Sequence, residues 1–248
     1  MIQLEAPAKL TLTLTVTGVR ADGYHLIDAE MVALDIADAI TIEDAANTLI
    51  TIDGPFAEGI PTDESNLVSK ALALTGRTAH VHITKNIPHG GGLGGGSTDA
   101  AAVLRWAKFS DATAAANVGA DIPFSLVGGR ARVTGIGEVV QPLPYEARNI
   151  TLLIPPLHVS TPLVYKTWDA MGGPRGDHGN DLEPAALAAV PELSLWHDRI
   201  ADALGQKPFL AGSGATWFVY GHAPDITGQV PGLGVVHTTT RPDPGRVA

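Results

Sequence analysis

The residues best suited to do chemistry form a glycine-rich loop and the segment that follows it. Six glycines lie within residues 90–96, interrupted only by Leu93. Glycine loses the most conformational entropy on folding, so such a cluster indicates backbone that comes very close to another group. Residues 100–108 are a run of strong helix formers, and any of residues 97–99 (Ser-Thr-Asp) can cap its first turn. Because the free N–H groups of a helix N-terminus bind anions, the loop is predicted to bind phosphate.

Two other interpretations of this loop fit less well. A nucleotide P-loop requires a lysine between the last glycine and Ser97, and there is none. The dinucleotide pattern G-x-G-x-x-G is matched at Gly90, Gly92 and Gly95, which would suggest a nicotinamide-dependent oxidoreductase. However, the preceding strand, residues 79–84, alternates apolar and polar residues, whereas the first strand of a dinucleotide-binding fold is apolar throughout. Phosphate binding is therefore favoured over dinucleotide binding and over a flexible linker.

Three charged residues are candidates to act beside the loop. Asp121 is a lone carboxylate among small and apolar neighbours, which fits either satisfaction by backbone donors or proton transfer. Lys85 comes just before Ile87 and Pro88 and is expected at the mouth of the glycine loop. Lys9 precedes the first strand, and taken alone it is best interpreted as an ordinary solvated lysine.

Two further features have plain structural interpretations. His80 and His82 share a strand face, but no third ligand has matching spacing, so solvated histidines are favoured over a metal site. The segment 212–214 (Gly-Ser-Gly) is either a tight turn or a second close approach of the backbone to a ligand, and the sequence leaves both open.

Composition excludes several classes of function. With 248 residues and 45% hydrophobic content, the chain can build one large domain or two lobes. A net charge of −10 with only 16 lysines and arginines provides no basic surface for nucleic acid. The absence of cysteine excludes disulfides, thiolate catalysis and cysteine-ligated zinc. No leader-like N-terminus and no membrane-length apolar run is found, so we expect a cytoplasmic protein with no membrane partner.

The elements that must position these residues alternate irregularly between strands and helices. Strands are predicted at 10–17, 29–34, 39–42, 79–84, 130–134, 150–156, 215–220 and 235–239, and helices at 67–74, 100–108, 184–190 and 193–204. Residues 161–181 are expected to be irregular. The mixture lacks regular βαβ units, and Pro155-Pro156 marks a natural boundary. The prediction is an α+β fold in two lobes, residues 1–149 and 150–248.

With these segments in place, the chain resembles the GHMP small-molecule kinases over nearly its whole length. The matching motifs occur in the family's order: Ala6-Pro7-Ala8-Lys9-Leu10 with Arg20-Ala21-Asp22-Gly23-Tyr24-His25, Ile87 to Ala101, Gly119-Ala120-Asp121-Ile122-Pro123-Phe124, Ser160-Thr161-Pro162 with Tyr165-Lys166, Asn180-Asp181-Leu182-Glu183, and Leu210-Ala211-Gly212-Ser213-Gly214-Ala215. The resemblance implies a ribosomal S5 domain 2-like N-terminal lobe that binds ATP and a ferredoxin-like C-terminal lobe.

Within that family, the chain is most similar to members of the non-mevalonate isoprenoid pathway. The resemblance implies that ATP, with Mg²⁺, phosphorylates the 2-hydroxyl of a small-molecule substrate with a cytidine diphosphate moiety, in a protein that is a monomer or weak homodimer. A GHMP kinase for another small alcohol, such as homoserine or mevalonate, remains an alternative, as does a degenerate, non-catalytic nucleotide-binding relative. Tyr24, His25 and Tyr165 favour the cytidine substrate, since the other alcohols offer no pyrimidine to stack.

The resemblance also assigns roles to individual residues. It implies that Asp121 is the base and that Lys9 holds it ionised and stabilises the charge of phosphoryl transfer. The implied ATP-binding residues are Asn66, Lys85, Pro88, Gly90, Gly91, Gly92, Leu93, Gly94, Gly95, Gly96, Ser97 and Thr98. The implied substrate-binding residues are Tyr24, His25, Thr161 and Tyr165, with the two tyrosines stacked on cytosine. The metal ligands are unassigned, although the hydroxyl of Ser97 or Thr98 would lie near Mg²⁺.

The chain departs from the family pattern in two places. Thr11 stands where the family usually has asparagine, which alters one polar contact near the substrate. The span 104–119 is shorter than in the family, which predicts that a helix on the nucleotide side is missing and that ATP affinity is affected.

Overall fold

The computed structural model describes residues 1–88 and 90–247. His89, which lies in the glycine-rich stretch, and Ala248, the last residue of the predicted second lobe, are outside the described residues.

The described strands join into one mostly antiparallel sheet. They are β1 (Ile2–Val19), β2 (His25–Asp44), β3 (Leu49–Asp53), β4 (Ala79–Thr84), β5 (Arg130–Gly135), β6 (Val139–Pro142), β7 (Asn149–Ile154), β8 (Phe209–Leu210), β9 (Trp217–Tyr220) and β10 (Gly234–Arg241).

Seven helices are found among the described residues. They are α1 (Leu67–Thr75), α2 (Gly95–Trp106), α3 (Ala112–Val118), α4 (Ile122–Val127), α5 (Thr161–Ala170), α6 (Glu183–Ala189) and α7 (Glu192–Leu204). None of these helices combines the length and the apolar character that crossing a membrane requires.

The long strand β2 organises the sheet. It pairs antiparallel with β1, β4 and β5, and β3 adds to β4 in parallel. Near the middle of β2, β10 pairs with it through Thr240 opposite Leu34. β10 also pairs with β7, which continues to β9 and β8. Helices and a largely antiparallel sheet without βαβ repeats confirm the predicted α+β class.

The helices cover the sheet in two groups. The apolar faces of α1 and α2 pack on β1, β2 and β4, where Val68, Leu72 and Val103 are buried against Ile40 and Ile42. The helices α5, α6 and α7 pack against β7 and β9. The strand β4 buries every second residue, Ala79, Val81 and Ile83, as the alternation in its sequence predicted.

The end of the chain packs against the first strand, β1. The backbone N–H of Glu5 donates to the carbonyl of Arg246 at 3.0 Å, and the Arg241 side chain contacts the Glu5 carboxylate at 3.2 Å. The division into lobes 1–149 and 150–248 stays a prediction, with β10 and the residues after it packed on the first half.

Several predicted boundaries are wrong. The two strands predicted at 29–34 and 39–42 are one continuous strand, β2, because its bulged pairing with β1 carries it through both segments. Residues 161–170 are helical although they were expected to be irregular, since Pro162 occupies the first turn, where its missing N–H costs nothing. The shortened span 104–119 contains α3, a helix of seven residues, and its effect on ATP affinity stays a prediction.

Candidate active site

The helix that follows the glycine-rich loop begins inside the loop. Gly94 is the N-cap residue, with φ of +73°, and the N–H of Thr98 donates to the Gly94 carbonyl at 2.9 Å. The expectation that one of residues 97–99 caps the helix is therefore wrong, because only glycine adopts this left-handed conformation without strain. The first N–H groups of α2 consequently belong to Gly95, Gly96 and Ser97, and they have no partner within the helix.

Part of the glycine cluster is explained by packing against the loop at residues 211–216. A Cβ at Gly92 would lie 2.7 Å from the carbonyl oxygen of Gly214, and one at Gly91 would lie 2.7 Å from Oγ1 of Thr216. The N–H of Thr216 donates to the Gly91 carbonyl at 3.1 Å. The close approach that the glycines indicated is therefore an approach to another loop of this chain, which leaves no room for side chains.

The other side of the glycine loop is held by the first strand. The backbone N–H of Lys9 donates to the Leu93 carbonyl at 3.0 Å, and the Leu93 side chain is buried in the core. A Cβ at Gly94 would lie 2.7 Å from Cγ of Lys9, so the aliphatic stem of Lys9 packs directly on the N-cap of α2. The loop is thus fixed from both sides.

The ammonium group of Lys9 reaches from the loop to Asp121. Nζ of Lys9 lies 3.1 Å from Oδ2 of Asp121 and donates to Oγ1 of Thr11 at 3.2 Å. Asp121 stands immediately before α4, and Lys9 is only 7% exposed. The interpretation of Lys9 as a solvated lysine is wrong, because the fold buries its stem and pairs its charge.

These groups face a cavity of about 790 Å³ between the two halves of the chain. Its lining combines Lys9, Thr11 and Asp121 with the glycine loop, the start of α5 and the loop at 211–213. The residues predicted to bind substrate also line it: Tyr24, His25, Thr161 and Tyr165. A base, a cation, a helix N-terminus and aromatic side chains therefore surround one space that is large enough for a small-molecule ligand.

The aromatic side of the cavity is built around His25. Its ring stacks on Tyr165 with centroids 4.5 Å apart, meets Trp168 edge-on at 5.6 Å, and its Nε2 lies 2.8 Å from Oδ1 of Asp169. Tyr24 is 59% exposed at the rim. The stacking partner of Tyr165 in this structure is thus His25, and the predicted stacking of both tyrosines on cytosine stays a prediction.

Tyr165 also lies within electrostatic reach of the predicted base. Burial raises the pKa of the Tyr165 hydroxyl well above its usual value, and the Asp121 carboxylate raises it further. The phenol is therefore neutral at physiological pH.

Thr161 connects α5 to the loop that packs on the glycines. Oγ1 of Thr161 lies 2.8 Å from Oγ of Ser213, and both residues line the cavity. The segment 212–214, which the sequence left open between a turn and a ligand contact, therefore borders the cavity and supports the glycine loop.

A second, smaller cavity of about 200 Å³ lies on the other side of the N-terminus of α2. It is lined by Asn66, Lys85, Gly96 and Asp99 together with apolar side chains such as Ile52 and Leu67. Asn66 caps α1, since its Oδ1 accepts from the N–H of Val68 at 2.8 Å. Of the predicted ATP-binding residues, Asn66, Lys85 and Gly96 therefore border this second cavity, while Gly92 and Gly94 border the first.

The ammonium group of Lys85 is not exposed at the mouth of the loop. It is buried between the carboxylates of Asp38 and Asp99 and is 2% exposed. Lys85 therefore borders the second cavity, but its positive charge is already paired with the carboxylates of Asp38 and Asp99.

The remaining loop residues are held by backbone geometry. Oγ1 of Thr98 donates to the Gly95 carbonyl at 2.9 Å, so its hydroxyl is used within the helix. A Cβ at Gly119 would lie 3.4 Å from Oγ of Ser97, which places the Ser97 hydroxyl beside the segment that leads to Asp121. Pro88 is buried, and Gly90 has a φ of +75°.

The histidine and acidic side chains of the described residues form no metal site. Residues 1–88 and 90–247 contain no group of three or more histidine or acidic side chains placed to hold a metal ion. His82 instead contacts Thr51 at 2.9 Å and Asp53 at 3.3 Å.

Three residues at these sites, Asp169, Trp168 and Asp38, were not predicted from the sequence. Asp38 had a detectable signal, since the period of two in β2 places it on the same face as the buried Ile40 and Ile42. Asp169 and Trp168 had none, because the segment was expected to be irregular and their contacts with His25 depend on the packing of α5.

The chain is similar in sequence to known kinases. A family model for the N-terminal domain of GHMP kinases matches residues 66–129. The 4-diphosphocytidyl-2-C-methyl-D-erythritol kinase of Paracoccus denitrificans (strain Pd 1222) is 39% identical over 232 residues, covering 86% of this chain and 84% of the relative. The kinase of the same name from Ruegeria pomeroyi (strain ATCC 700808 / DSM 15171 / DSS-3) is 38% identical, with 88% of each chain covered.

Solved structures show the same relationship. A crystal structure of 4-(cytidine 5'-diphospho)-2C-methyl-D-erythritol kinase superimposes with a TM-score of 0.74 at 30% identity, covering 96% of this chain and 98% of that one. A homoserine kinase from Cytophaga hutchinsonii has a TM-score of 0.65 at 18% identity, with 100% of this chain and 97% of the other covered, which shows a shared fold.

Proposed function

The chain belongs to the 4-diphosphocytidyl-2-C-methyl-D-erythritol kinase family of the GHMP kinases, and from that premise we propose that it phosphorylates the 2-hydroxyl of 4-diphosphocytidyl-2-C-methyl-D-erythritol. It is an ATP-dependent small-molecule kinase of isoprenoid synthesis. The observation that best supports this active site is the pair formed by Lys9 and Asp121, whose Nζ and Oδ2 atoms lie 3.1 Å apart beside the glycine loop.

In the proposed mechanism, Asp121 takes the proton of the substrate hydroxyl. The hydroxyl oxygen then forms a bond to the γ-phosphorus of ATP as the bond from that phosphorus to the β,γ-bridging oxygen breaks, and ADP leaves. Lys9 holds the Asp121 carboxylate in place through its 3.1 Å contact and offers positive charge to the phosphoryl group in transfer. A base and a cation in one geometry suit a reaction that depends mainly on positioning and charge stabilisation.

The glycine-rich loop is the proposed phosphate cradle. The N–H groups of Gly95, Gly96 and Ser97 have no partner within α2 and lie at the positive end of its dipole. Close packing of the loop against residues 211–216 and Lys9 leaves the backbone without side chains over it, so phosphate oxygens can approach the N–H groups directly.

The groups at this cradle also fit Mg²⁺. The hydroxyl of Ser97 and phosphate oxygens are hard oxygen donors, which are the ligands that Mg²⁺ prefers. When bound, the ion neutralises part of the charge of the triphosphate. Ser97 is the residue of this chain that would hold it.

The aromatic side of the large cavity is the proposed site for the cytosine base. Tyr24 and Tyr165 offer ring faces, and His25, held by Asp169, offers a ring nitrogen to a polar edge. Thr161 at the start of α5 would contact the diphosphate or the erythritol. The nucleoside of ATP is proposed to lie in the smaller cavity beside Asn66 and Lys85.

The protein is proposed to be a monomer or a weak homodimer. The large cavity lies between the proposed lobes, residues 1–149 and 150–248, so that each lobe contributes one wall. Size-exclusion chromatography with light scattering tests the oligomeric state.

The experiment that tests the function is direct. The protein is incubated with ATP, Mg²⁺ and 4-diphosphocytidyl-2-C-methyl-D-erythritol, ADP release is followed, and the product is examined by ³¹P NMR for a new phosphomonoester. Homoserine and mevalonate serve as alternative acceptors. Turnover with the cytidine substrate supports the proposal, whereas turnover only with another alcohol, or ATP binding without turnover with any, contradicts it.

A further inference from the structure

A cluster of three buried charged side chains lies under the glycine loop. Two of them, Lys85 and Asp99, also line the smaller cavity, and none of the three has a chemical role in the mechanism above. Lys85 Nζ donates to the Asp38 carboxylate and to Oδ2 of Asp99, the latter at 2.6 Å. We propose that Asp38, Lys85 and Asp99 form a positioning cluster that ties the beginning of the glycine loop to its end and thereby sets the geometry of the phosphate cradle. This inference rests on the proposed function, because it concerns the loop that would hold ATP.

The cluster holds the beginning of the loop through backbone hydrogen bonds. Oδ1 of Asp38 accepts from the N–H of Asn86 at 2.6 Å and from that of Ile87 at 2.8 Å. The Asp38 side chain is fully buried in β2, a long central strand of the sheet. The two residues that lead into the glycine-rich stretch are therefore fixed to the most extensive element of the fold.

The same cluster holds the end of the loop. Asp99 lies in the first turns of α2, and its carboxylate accepts from Lys85. A Cβ at Gly95 would lie 3.2 Å from Lys85 Nζ, so the ammonium lies directly against the first residue of the helix. One ammonium group thus contacts the carboxylate that anchors the loop's beginning and the helix turn at its end.

Burial of these charges indicates that the cluster is costly to build and strongly coupled. Burial raises the pKa of Asp99 to about 7, against the effect of Lys85, which lowers it, while Asp38 raises it. Burial alone would lower the pKa of Lys85, but Asp99 and Asp38 raise it above its ordinary value, so the ammonium stays charged. Such ionic groups stabilise less than an apolar replacement would, and a well-attested use of them is to specify one arrangement of the chain.

The cluster lies outside the large cavity that contains Lys9 and Asp121. A change in it should therefore alter how the N–H groups of the cradle are aligned and leave the alcohol site intact. The expected signature is a weaker affinity for ATP with an unchanged KM for the alcohol substrate, because a displacement of about 1 Å in a positioning element is enough to cost affinity or rate.

The first test uses Asp38→Asn, which keeps the size of the side chain but replaces one acceptor oxygen with a donor. We expect the Kd for ATP, measured by calorimetry without the alcohol, and the KM for ATP to rise about tenfold or more, while the KM for the alcohol changes less than about twofold. The matched control is Asp28→Asn, which removes a carboxylate of the same strand that pairs with Arg132 at the surface. It should leave both constants unchanged.

The second test asks whether the loop itself loses its order. In Lys85→Met, hydrogen exchange measured by mass spectrometry should become faster in peptides that cover residues 86–98 and stay unchanged in those that cover α1. If Lys85→Met does not fold, Asp38→Asn is measured in the same way.

The proposal is overturned if the ATP constants of Asp38→Asn equal those of the wild type, or if both KM values rise in parallel with a fall in stability, which is the signature of a purely structural cluster. It is also overturned if exchange in residues 86–98 is unchanged. A wild-type protein that binds ATP but does not phosphorylate the cytidine substrate would contradict the proposed function alone, since ATP binding and hydrogen exchange still test the cluster.

Discussion

Nζ of Lys9 lies 3.1 Å from Oδ2 of Asp121, and the stem of the same lysine packs on Gly94, the N-cap of α2. One side chain therefore fixes the distance between the proposed base and the proposed phosphate cradle. Since β1 also holds the loop through the N–H of Lys9, the reacting groups are positioned by a strand of the sheet instead of by a flexible segment.

Replacing the proposed base should stop the chemistry without stopping nucleotide binding. We expect Asp121→Asn to lower kcat by a factor of about 100 or more, because general base catalysis contributes roughly 10² to 10⁴, while the Kd for ATP is nearly unchanged. Steady-state kinetics and calorimetry measure the two effects. Asp198→Asn, which removes an exposed carboxylate on α7, is the control and should keep full activity. Near-normal turnover of Asp121→Asn would refute the role given to this residue.

Substitution of Gly94 should show two separate effects: a loss of stability from backbone strain and a loss of turnover from displacement of Lys9. In Gly94→Ala, the new methyl group would lie 2.7 Å from Cγ of Lys9 at a φ of +73°, so we expect turnover to fall at least tenfold in addition to about 1–2 kcal/mol of lost stability. Gly76→Ala is a close control, since Gly76 has a φ of +65° at the end of α1 and nothing within 4 Å of the new methyl.

The two glycine variants are compared by urea unfolding and by kcat. Similar losses of stability with a loss of activity only in Gly94→Ala support the positioning of Lys9 by the loop. Equal activities in the two variants would show that the contact between Lys9 and Gly94 has no part in catalysis.

The aromatic rim should matter for the alcohol substrate and not for ATP. We expect Tyr24→Ala to raise the KM for the cytidine substrate by about tenfold, because stacking on a base is worth about 1–3 kcal/mol, and to change the KM for ATP little. Tyr220→Ala is the control, as Tyr220 is similarly exposed, at 46%, but lies outside the cavity. Parallel rises of both KM values in Tyr24→Ala would indicate a folding defect instead of a lost stacking contact.

The buried carboxyl of Asp99 should make stability fall as pH rises from about 4 to about 7. Burial raises its pKa from 3.8 to about 7, so within this range the folded chain binds more protons at this site than the unfolded chain does. Relative to Asp99→Asn, the wild type should lose up to about 1.4 kcal/mol of unfolding free energy per pH unit there. Urea unfolding at several pH values measures this difference.

The control for this pH dependence is Asp22→Asn. The side-chain hydrogen bond from Arg20 lowers the pKa of Asp22 to about 2, so its contribution changes only below about pH 4. The stability difference between the wild type and Asp22→Asn should therefore be constant between about pH 5 and pH 7. A pH-independent difference for Asp99→Asn would show that Asp99 keeps an ordinary pKa in the fold.

Local sequence was sufficient to predict a glycine loop followed by a helix and most of the elements around them. Two patterns depend only on neighbours in the chain: the glycines of residues 90–96 followed by helix formers, and the alternation in residues 10–17. The structure contains α2 and β1 at these places. The motif order identified the family, since the spacing of such motifs reflects a fixed fold.

Local sequence was not sufficient where the outcome depended on packing. Lys9 was interpreted as a solvated lysine from its neighbours, and only the contact between β1 and the glycine loop buries it beside Asp121. The helix α2 begins at Gly95, because Gly94, packed on the stem of Lys9, takes the left-handed conformation of an N-cap residue.

The sequence by itself therefore determined which chemical groups this protein has and that a glycine loop precedes a helix, because those features are written in residue type and short spacing. The tertiary structure alone decided which charges meet. Asp121 contacts Lys9, and Asp38 and Asp99 contact Lys85. These contacts form because β1, β2 and β4 pair in one sheet and α2 packs on it. Contacts between residues far apart in the chain are fixed by burial of the whole core, and no local pattern encodes them.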